Sequence, residues 1–163
     1  MTRFVAGRLD WARPCKRPAN MPHARLKGTK ADGLRYEKLV AKEFPYANHG
    51  QWYEFHDING HGYCQPDIVF EDEGQIIVIE CKLSNYFQAY TQLNSLYKPV
   101  LQEVYRLPVR TLVVMRSLRS DTPKKFVCTS LREALQMNGT PVIHWLGKHK
   151  GYIGARDRAY AHI

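Results

Sequence analysis

Residues 66 to 82 run Pro66-Asp67-Ile68-Val69-Phe70-Glu71-Asp72-Glu73-Gly74-Gln75-Ile76-Ile77-Val78-Ile79-Glu80-Cys81-Lys82. Gln75 to Ile79 is apolar, β-branched and too short for an independent helix, and it follows Asp72-Glu73-Gly74, which has turn chemistry. A strand is expected there. Side chains alternate along a strand, so Ile76, Val78, Glu80 and Lys82 share one face while Ile77, Ile79 and Cys81 share the other. Pro66 to Glu71 reads as the partner strand, and folding back at Glu73-Gly74 brings Asp67 to the same end of the pair as Glu80. Glu80 ends a strand whose other residues are almost all apolar, where a charge needs a reason.

Two carboxylates and an amine at one strand end have a use in phosphoryl chemistry. Mg²⁺ takes hard oxygen ligands and keeps several waters, so Asp67, Glu80 and the backbone carbonyl of Cys81 would hold it with room for a phosphate oxygen. The metal polarises the phosphate and acidifies a bound water. Lys82 would orient the attacking water, help deprotonate it, or stabilise the charge growing on the phosphate.

At Pro66-Asp67 and Glu80-Cys81-Lys82 the chain resembles the PD-(D/E)XK nuclease superfamily, over roughly residues 33 to 115. The resemblance implies a restriction-endonuclease-like αβββαβ core. It also implies a helix before the hairpin with a further acidic residue. Gly33 to Phe44 fits, with Leu34, Tyr36, Leu39, Val40 and Phe44 at helical spacing, Asp32 as expected N-cap, and Glu37 as the matching carboxylate. Many relatives carry a Gln on the helix after the Lys-bearing strand, often followed by a Tyr. Gln92 and Tyr97 occupy that region, one residue further apart than the Q-x-x-x-Y form. The resemblance implies an Mg²⁺-dependent deoxyribonuclease, with Mn²⁺ able to substitute. Asp67 and Glu80 would bind the metal, Lys82 would act in catalysis, Glu37 would be a second-metal or water-positioning carboxylate, and Gln92 would orient substrate or water. An endonuclease is expected first. A Holliday-junction or other branched-DNA resolvase, an exonuclease, and a non-catalytic nucleic-acid-binding protein of the same fold stay open.

The chain has 163 residues, is 44% hydrophobic and has a formal charge of +9. That length suits one domain with a sizeable core. The charge is uneven. Residues 1 to 30 hold eight Lys or Arg against Asp10, a net +7; residues 147 to 163 hold four against Asp157, a net +3; the middle nets −1. The expected organisation is a flexible basic N-terminal arm over 1–31, the nuclease domain over 32–146 and a basic C-terminal tail over 147–163. Such arms supply sequence-independent affinity for DNA. Arg8, Arg13, Lys16, Arg17, Arg25, Lys27 and Lys30 at one end, with Lys148 and Lys150 at the other, are the expected contacts. Trp11 and Phe4 would stack on bases or pack on the core.

No apolar run of seven or more follows the early charges, so no secretory signal is supported, and no stretch approaches a membrane span. The arginines resemble an organelle presequence in composition, but Pro14, Pro18 and Pro22 would break its helix. A cytoplasmic protein is expected, with homodimerisation as a way to lengthen its footprint. Cys15, Cys64, Cys81 and Cys128 form no C-x-x-C pair and are expected as reduced thiols. His49, His56, His61 and Cys64 lie close enough in sequence to suggest structural zinc. Asn59-Gly60 and Gly62 instead spell a turn, expected to join Trp52 to Phe55 with the Pro66-Asp67 strand, and His61 or Tyr63 would then contact substrate.

Further elements complete an α/β reading: a mixed central β-sheet flanked by helices. They are a helix over 88–106 that Pro99 bends or splits, a buried parallel strand over 110–115, a short helix capped by Ser130, and a last strand over 142–146.

Overall fold

The computed structural model describes residues 3–21, 28–147 and 153. In chain order the elements are β1 (Trp11–Cys15), α1 (Thr29–Ala41), β2 (Asn48–His49), β3 (Trp52–Asp57), β4 (Gly60–Cys64), β5 (Ile68–Asp72), β6 (Gln75–Lys82), α2 (Tyr86–Gln92), a π-helical turn (Leu93–Tyr97), α3 (Lys98–Tyr105), β7 (Val109–Met115), a 3₁₀ turn (Lys124–Phe126), β8 (Val127–Cys128), α4 (Leu131–Leu135) and β9 (Val142–His144). The protein is mixed α/β, with a six-stranded sheet in the order β2-β5-β6-β7-β9-β8 and a second sheet in the order β1-β3-β4.

β5 and β6 form the expected hairpin. Glu73 and Gly74 both take positive φ, 47° and 78°, which matches a two-residue turn to the twist of the strands it joins. Asp72 pairs with Gln75 and Ile68 with Ile79, so one further step sets Asp67 opposite Glu80. β7 then runs parallel to β6, and β9 parallel to β7, as an almost wholly apolar Val109 to Met115 requires. The alternation along β6 divides the core in two. Ile77 and Ile79 pack with Tyr36, Val40 and Phe44 from the α1 side, while Ile76 and Val78 pack with Leu93, Leu96, Val100 and Leu101 on the other face. Each fully buried side chain of this size contributes about 1.5–3 kcal/mol.

Several expectations need correction. Asp32 is not the N-cap of α1: the helix begins at Thr29 after Gly28, and Asp32 lies in its first turn, paired with Arg35. The Asn59-Gly60 signal does mark a hairpin, but it joins β3 to β4, with Asp57 opposite Gly60, and both strands belong to the smaller sheet rather than pairing with the Pro66-Asp67 strand. Three residues, Gln65, Pro66 and Asp67, separate β4 from β5 and let the chain change sheets. Opposite Phe55 stands Gly62, where an added Cβ would sit 2.5 Å from the Phe55 ring, so the glycine makes room for that buried aromatic.

The N-terminal segment is not a loose arm. Trp11 to Cys15 form an edge strand whose register sets Trp11 opposite His56 and Pro14 opposite Tyr53. Arg3 makes two hydrogen bonds to the buried Asp57 carboxylate, at 2.8 and 2.9 Å, and the Ala6 and Asn59 N–H groups donate to it as well. Pro99 tethers the segment a second way. Proline has no N–H for the carbonyl four residues back, which belongs to Ser95, and the Val5 N–H donates to that carbonyl at 3.0 Å. At the other end, Ile153 is fully buried in the core and its carbonyl accepts from Leu131, so part of the expected tail is docked. No helix among the described residues is long and apolar enough to cross a membrane.

Arg3 and the two N–H donors hold the Asp57 carboxyl well below the usual carboxylate range. A depressed folded pKa contributes stability above the unfolded value of about 4, and that contribution is lost as pH falls further. Acid titration followed by circular dichroism should therefore show wild type losing more stability below about pH 4 than Asp57→Asn, which starts out weaker at pH 7. Parallel curves for the two proteins would contradict this assignment.

Candidate active site

The cleft lies where β6 ends. It has a volume of about 460 Å³, and its walls include Lys30, Glu37, Asp67, Glu80, Lys82 and Gln88. Three carboxylates and two amines from α1, β6 and the residue preceding β5 thus share one cavity, and the hairpin register accounts for Asp67, Glu80 and Lys82.

Each side chain is positioned by its element. The Cys81 N–H donates to Asp67 Oδ2 at 2.8 Å, locking the aspartate to the neighbouring strand. In an extended strand the N–H and C=O of one residue point to the same edge, so the Cys81 carbonyl also faces Asp67. Two residues apart on one strand face, Lys82 Nζ and Glu80 Oε1 lie 3.6 Å apart. Glu37, half-buried on α1, lines the cleft beside Asp67.

Crowding acids in a poorly solvated place raises their affinity for protons. Burial, reinforced by the charge of Glu37, pushes Asp67 up to about 7, although the Cys81 N–H and Lys82 oppose the shift. Glu80 is raised well above the ordinary range by burial and then by Asp67, with Lys82 opposing. Glu37 is raised too, chiefly by burial. The Cys81 thiol is pushed up for the same reason, so it is no nucleophile here.

Glu80 Oε2 is buried and has no hydrogen-bond partner. An orphaned carboxylate oxygen beside two further carboxylates and an inward carbonyl suits a hard divalent cation whose remaining ligands are waters. Among the described residues, no group of three or more His, Cys, Asp or Glu side chains is by itself arranged to hold a metal ion, so waters and a backbone carbonyl would have to complete any such site.

Gln92 does not line the cavity; Gln88, one turn earlier on the same helix face, does. Asn85 caps α2 by accepting from the Gln88 N–H, which starts the helix early enough for Gln88 to reach the cleft. Gln92 lies deeper, its Oε1 buried without a partner. The π turn that follows absorbs one extra residue per turn, so the five-residue step from Gln92 to Tyr97 returns to one helix face. Tyr97 is buried, donates to the Gln65 carbonyl at 3.5 Å, and is held neutral by burial and by the nearby Glu80 and Asp67. Sequence reasoning missed Gln88 and Asn85, and expected Lys30 as a DNA contact of the arm and not as part of the cleft wall; the Asn85 capping signal would have found the helix start.

The basic residues separate into two groups. Lys30 stands at the cleft, whereas Arg8, Arg13, Lys16 and Arg17 are exposed along the β1 segment and do not line it. Arg25, Lys27, Lys148 and Lys150 lie outside the described residues. The suggested zinc ligands do not converge: His56 and His61 are cross-strand partners on an exposed face, held by Asp10 and Glu54, while Cys64 is buried in the core.

Raised carboxylate pKa values make the metal-free fold bind more protons than the unfolded chain, so its stability falls as pH rises from about 4 towards 7. Metal-free Glu80→Gln should unfold at a higher temperature than metal-free wild type at pH 7.5, by roughly 1–3 kcal/mol of stability, and the gap should shrink at pH 5. Adding Mg²⁺ or Mn²⁺ should raise the melting temperature of wild type and leave Glu80→Gln unmoved. Calorimetry on chelator-treated protein checks both statements.

No family model, curated protein or solved structure matches this chain.

Proposed function

We propose that the protein is a metal-dependent deoxyribonuclease of the PD-(D/E)XK kind, hydrolysing phosphodiester bonds with a water as nucleophile. The observation that carries the reading is the convergence of Glu37, Asp67, Glu80 and Lys82 in one cleft, with Glu80 Oε2 buried and unpartnered. The order of elements supports it. With β3 and β4 set aside as an insertion, the path through the main sheet is α1, β2, β5, β6, the α2–α3 helix, then β7: an αβββαβ core.

The chain's own residues divide the work. Asp67 and Glu80 would hold Mg²⁺ with the Cys81 carbonyl, and the bound ion would acidify water and draw charge from the phosphate. The Cys81 N–H keeps Asp67 from rotating away. Glu37 reaches the same cleft from α1 and would serve as a second-metal or water-positioning carboxylate. Lys82 Nζ, anchored at 3.6 Å from Glu80 Oε1, is placed to hold the attacking water or a non-bridging phosphate oxygen. Gln88 stands at the cleft wall in the place first expected for Gln92, and Lys30 meets the phosphate backbone at the mouth.

Incubating the protein with plasmid, linear and branched DNA, with Mg²⁺ or Mn²⁺ and with EDTA, tests this reading. Cleavage should need the metal, and Asp67→Asn, Glu80→Ala and Lys82→Ala should each lower the rate at least a hundredfold, on the order expected for loss of an acid–base or charge-stabilising group. Gln88→Ala should cost more than Gln92→Ala. No cleavage of any of these DNAs by wild type, or cleavage that survives Glu80→Ala, sinks the proposal.

A further inference from the structure

The smaller sheet turns a second functional surface to solvent. Its inner face, with Tyr53, Phe55 and Cys64, is buried against the α2–α3 helix, but its outer face is aromatic and open. Trp11 lies 6.0 Å from the His56 ring in a near-parallel stack and 5.5 Å from His61, and His61 lies 4.7 Å from Tyr63. These rings are held in place. Asp10 bonds His56 at 2.7 Å, Glu54 bonds His61 at 3.1 Å, and the Arg13 guanidinium sits 5.0 Å over Trp11 while engaging Glu54.

We propose that this face is a stacking platform for unpaired bases of single-stranded DNA. Trp11 is 37% exposed, which leaves ring surface free for a partner although its strand is fixed. Bases stack on aromatic side chains whatever their sequence, and the matching phosphates need cations along one side. The β1 segment supplies them: Arg8, Lys16 and Arg17 are exposed beside Arg13, against Asp10 as the acid of that segment. The face also leads towards the carboxylates. At its Trp52–Tyr63 end a cavity of about 270 Å³ opens, walled in part by Gln65 and Tyr97, and Gln65 is only two residues before Asp67 along the chain. A strand lying across the platform would have its bases held while its backbone runs on to the cleft. The platform rests on the nuclease reading for its purpose, and it narrows the substrate to DNA with an unpaired stretch, at a branch, a flap or an end.

The test is binding of an oligothymidylate of about 12 nucleotides, and of a duplex of equal length, followed by fluorescence anisotropy in EDTA so that cutting cannot interfere. Trp11→Ala and Tyr63→Ala should each weaken binding of the single strand about five- to a hundredfold while changing duplex binding less than twofold, and Trp11→Phe should restore most of the loss. Equal losses on single strand and duplex would mean charge alone binds, and would overturn the platform. So would oligothymidylate binding within twofold of wild type in both alanine variants, with circular dichroism confirming that they are folded. The two proposals fail separately: a wild type that binds the single strand through Trp11 but cuts no DNA keeps the platform and loses the nuclease.

Discussion

The register of β5 against β6 is the constraint on which the cleft depends. A slip of one residue would carry Glu80 and Lys82 to the α1 face and separate Glu80 from Asp67. Two features prevent it. The Glu73-Gly74 turn admits only a two-residue connection with both residues at positive φ, and β6 is buried on both faces by different partners, so no shifted pairing would fill both halves of the core. The Cys81 N–H bond to Asp67 then extends the pairing one step past the regular ladder, through a side chain where a backbone carbonyl would otherwise accept. The apolar strands thus oppose the cost of gathering three carboxylates in one poorly hydrated place, and the fold holds a cluster that would disperse in a looser chain.

The centre of this arrangement was legible in the sequence because its signals were local and concordant. Period-two alternation in Ile76 to Lys82, a turn dipeptide and an out-of-place charge all point to the same hairpin, and the β5–β6 pairing follows them. The helical spacing from Leu34 to Phe44 likewise gave α1, and Ser130 gave the cap of α4, whose hydroxyl accepts from the Glu133 N–H. What could not be read were long-range choices. Nothing in Trp52 to Phe55 says which of two sheets it joins, since a strand with one buried face would satisfy either. The basic composition of residues 1 to 30 concealed a short alternating strand, and its pairing partner lies some forty residues away. β2 and β8, at two residues each, are too short to leave a periodic trace.

Between those extremes lies the helix after β6. Its apolar spacing was plain, and Pro99 gave warning of a break, but the chain resolves the conflict without one. A π turn widens the helix immediately before the proline, and the carbonyl that Pro99 leaves idle is taken by Val5 from the far end of the chain. A local irregularity therefore helps fix a distant segment, adding to the strand pairing with β3 and the Arg3 bonds to Asp57. The helix start at Asn85 sets which residues before the widening face the carboxylates, and the widening sets Tyr97 after it. Gln88 stands in the cleft wall, Gln92 lies deeper, and Tyr97 is buried against the Gln65 carbonyl.

Pro14 adds a consequence of another kind. It sits in β1, at the margin of the smaller sheet, opposite Tyr53 and next to the exposed Arg13. A sheet margin is ordinarily an invitation to aggregate, because its unpaired backbone groups accept a strand from any neighbouring chain. A proline offers no N–H there, and a cation beside it repels a second copy of the same strand. The three-stranded sheet is in this way guarded along its β1 border, and the chain can keep an aromatic surface open to solvent without its own copies adding strands on that side.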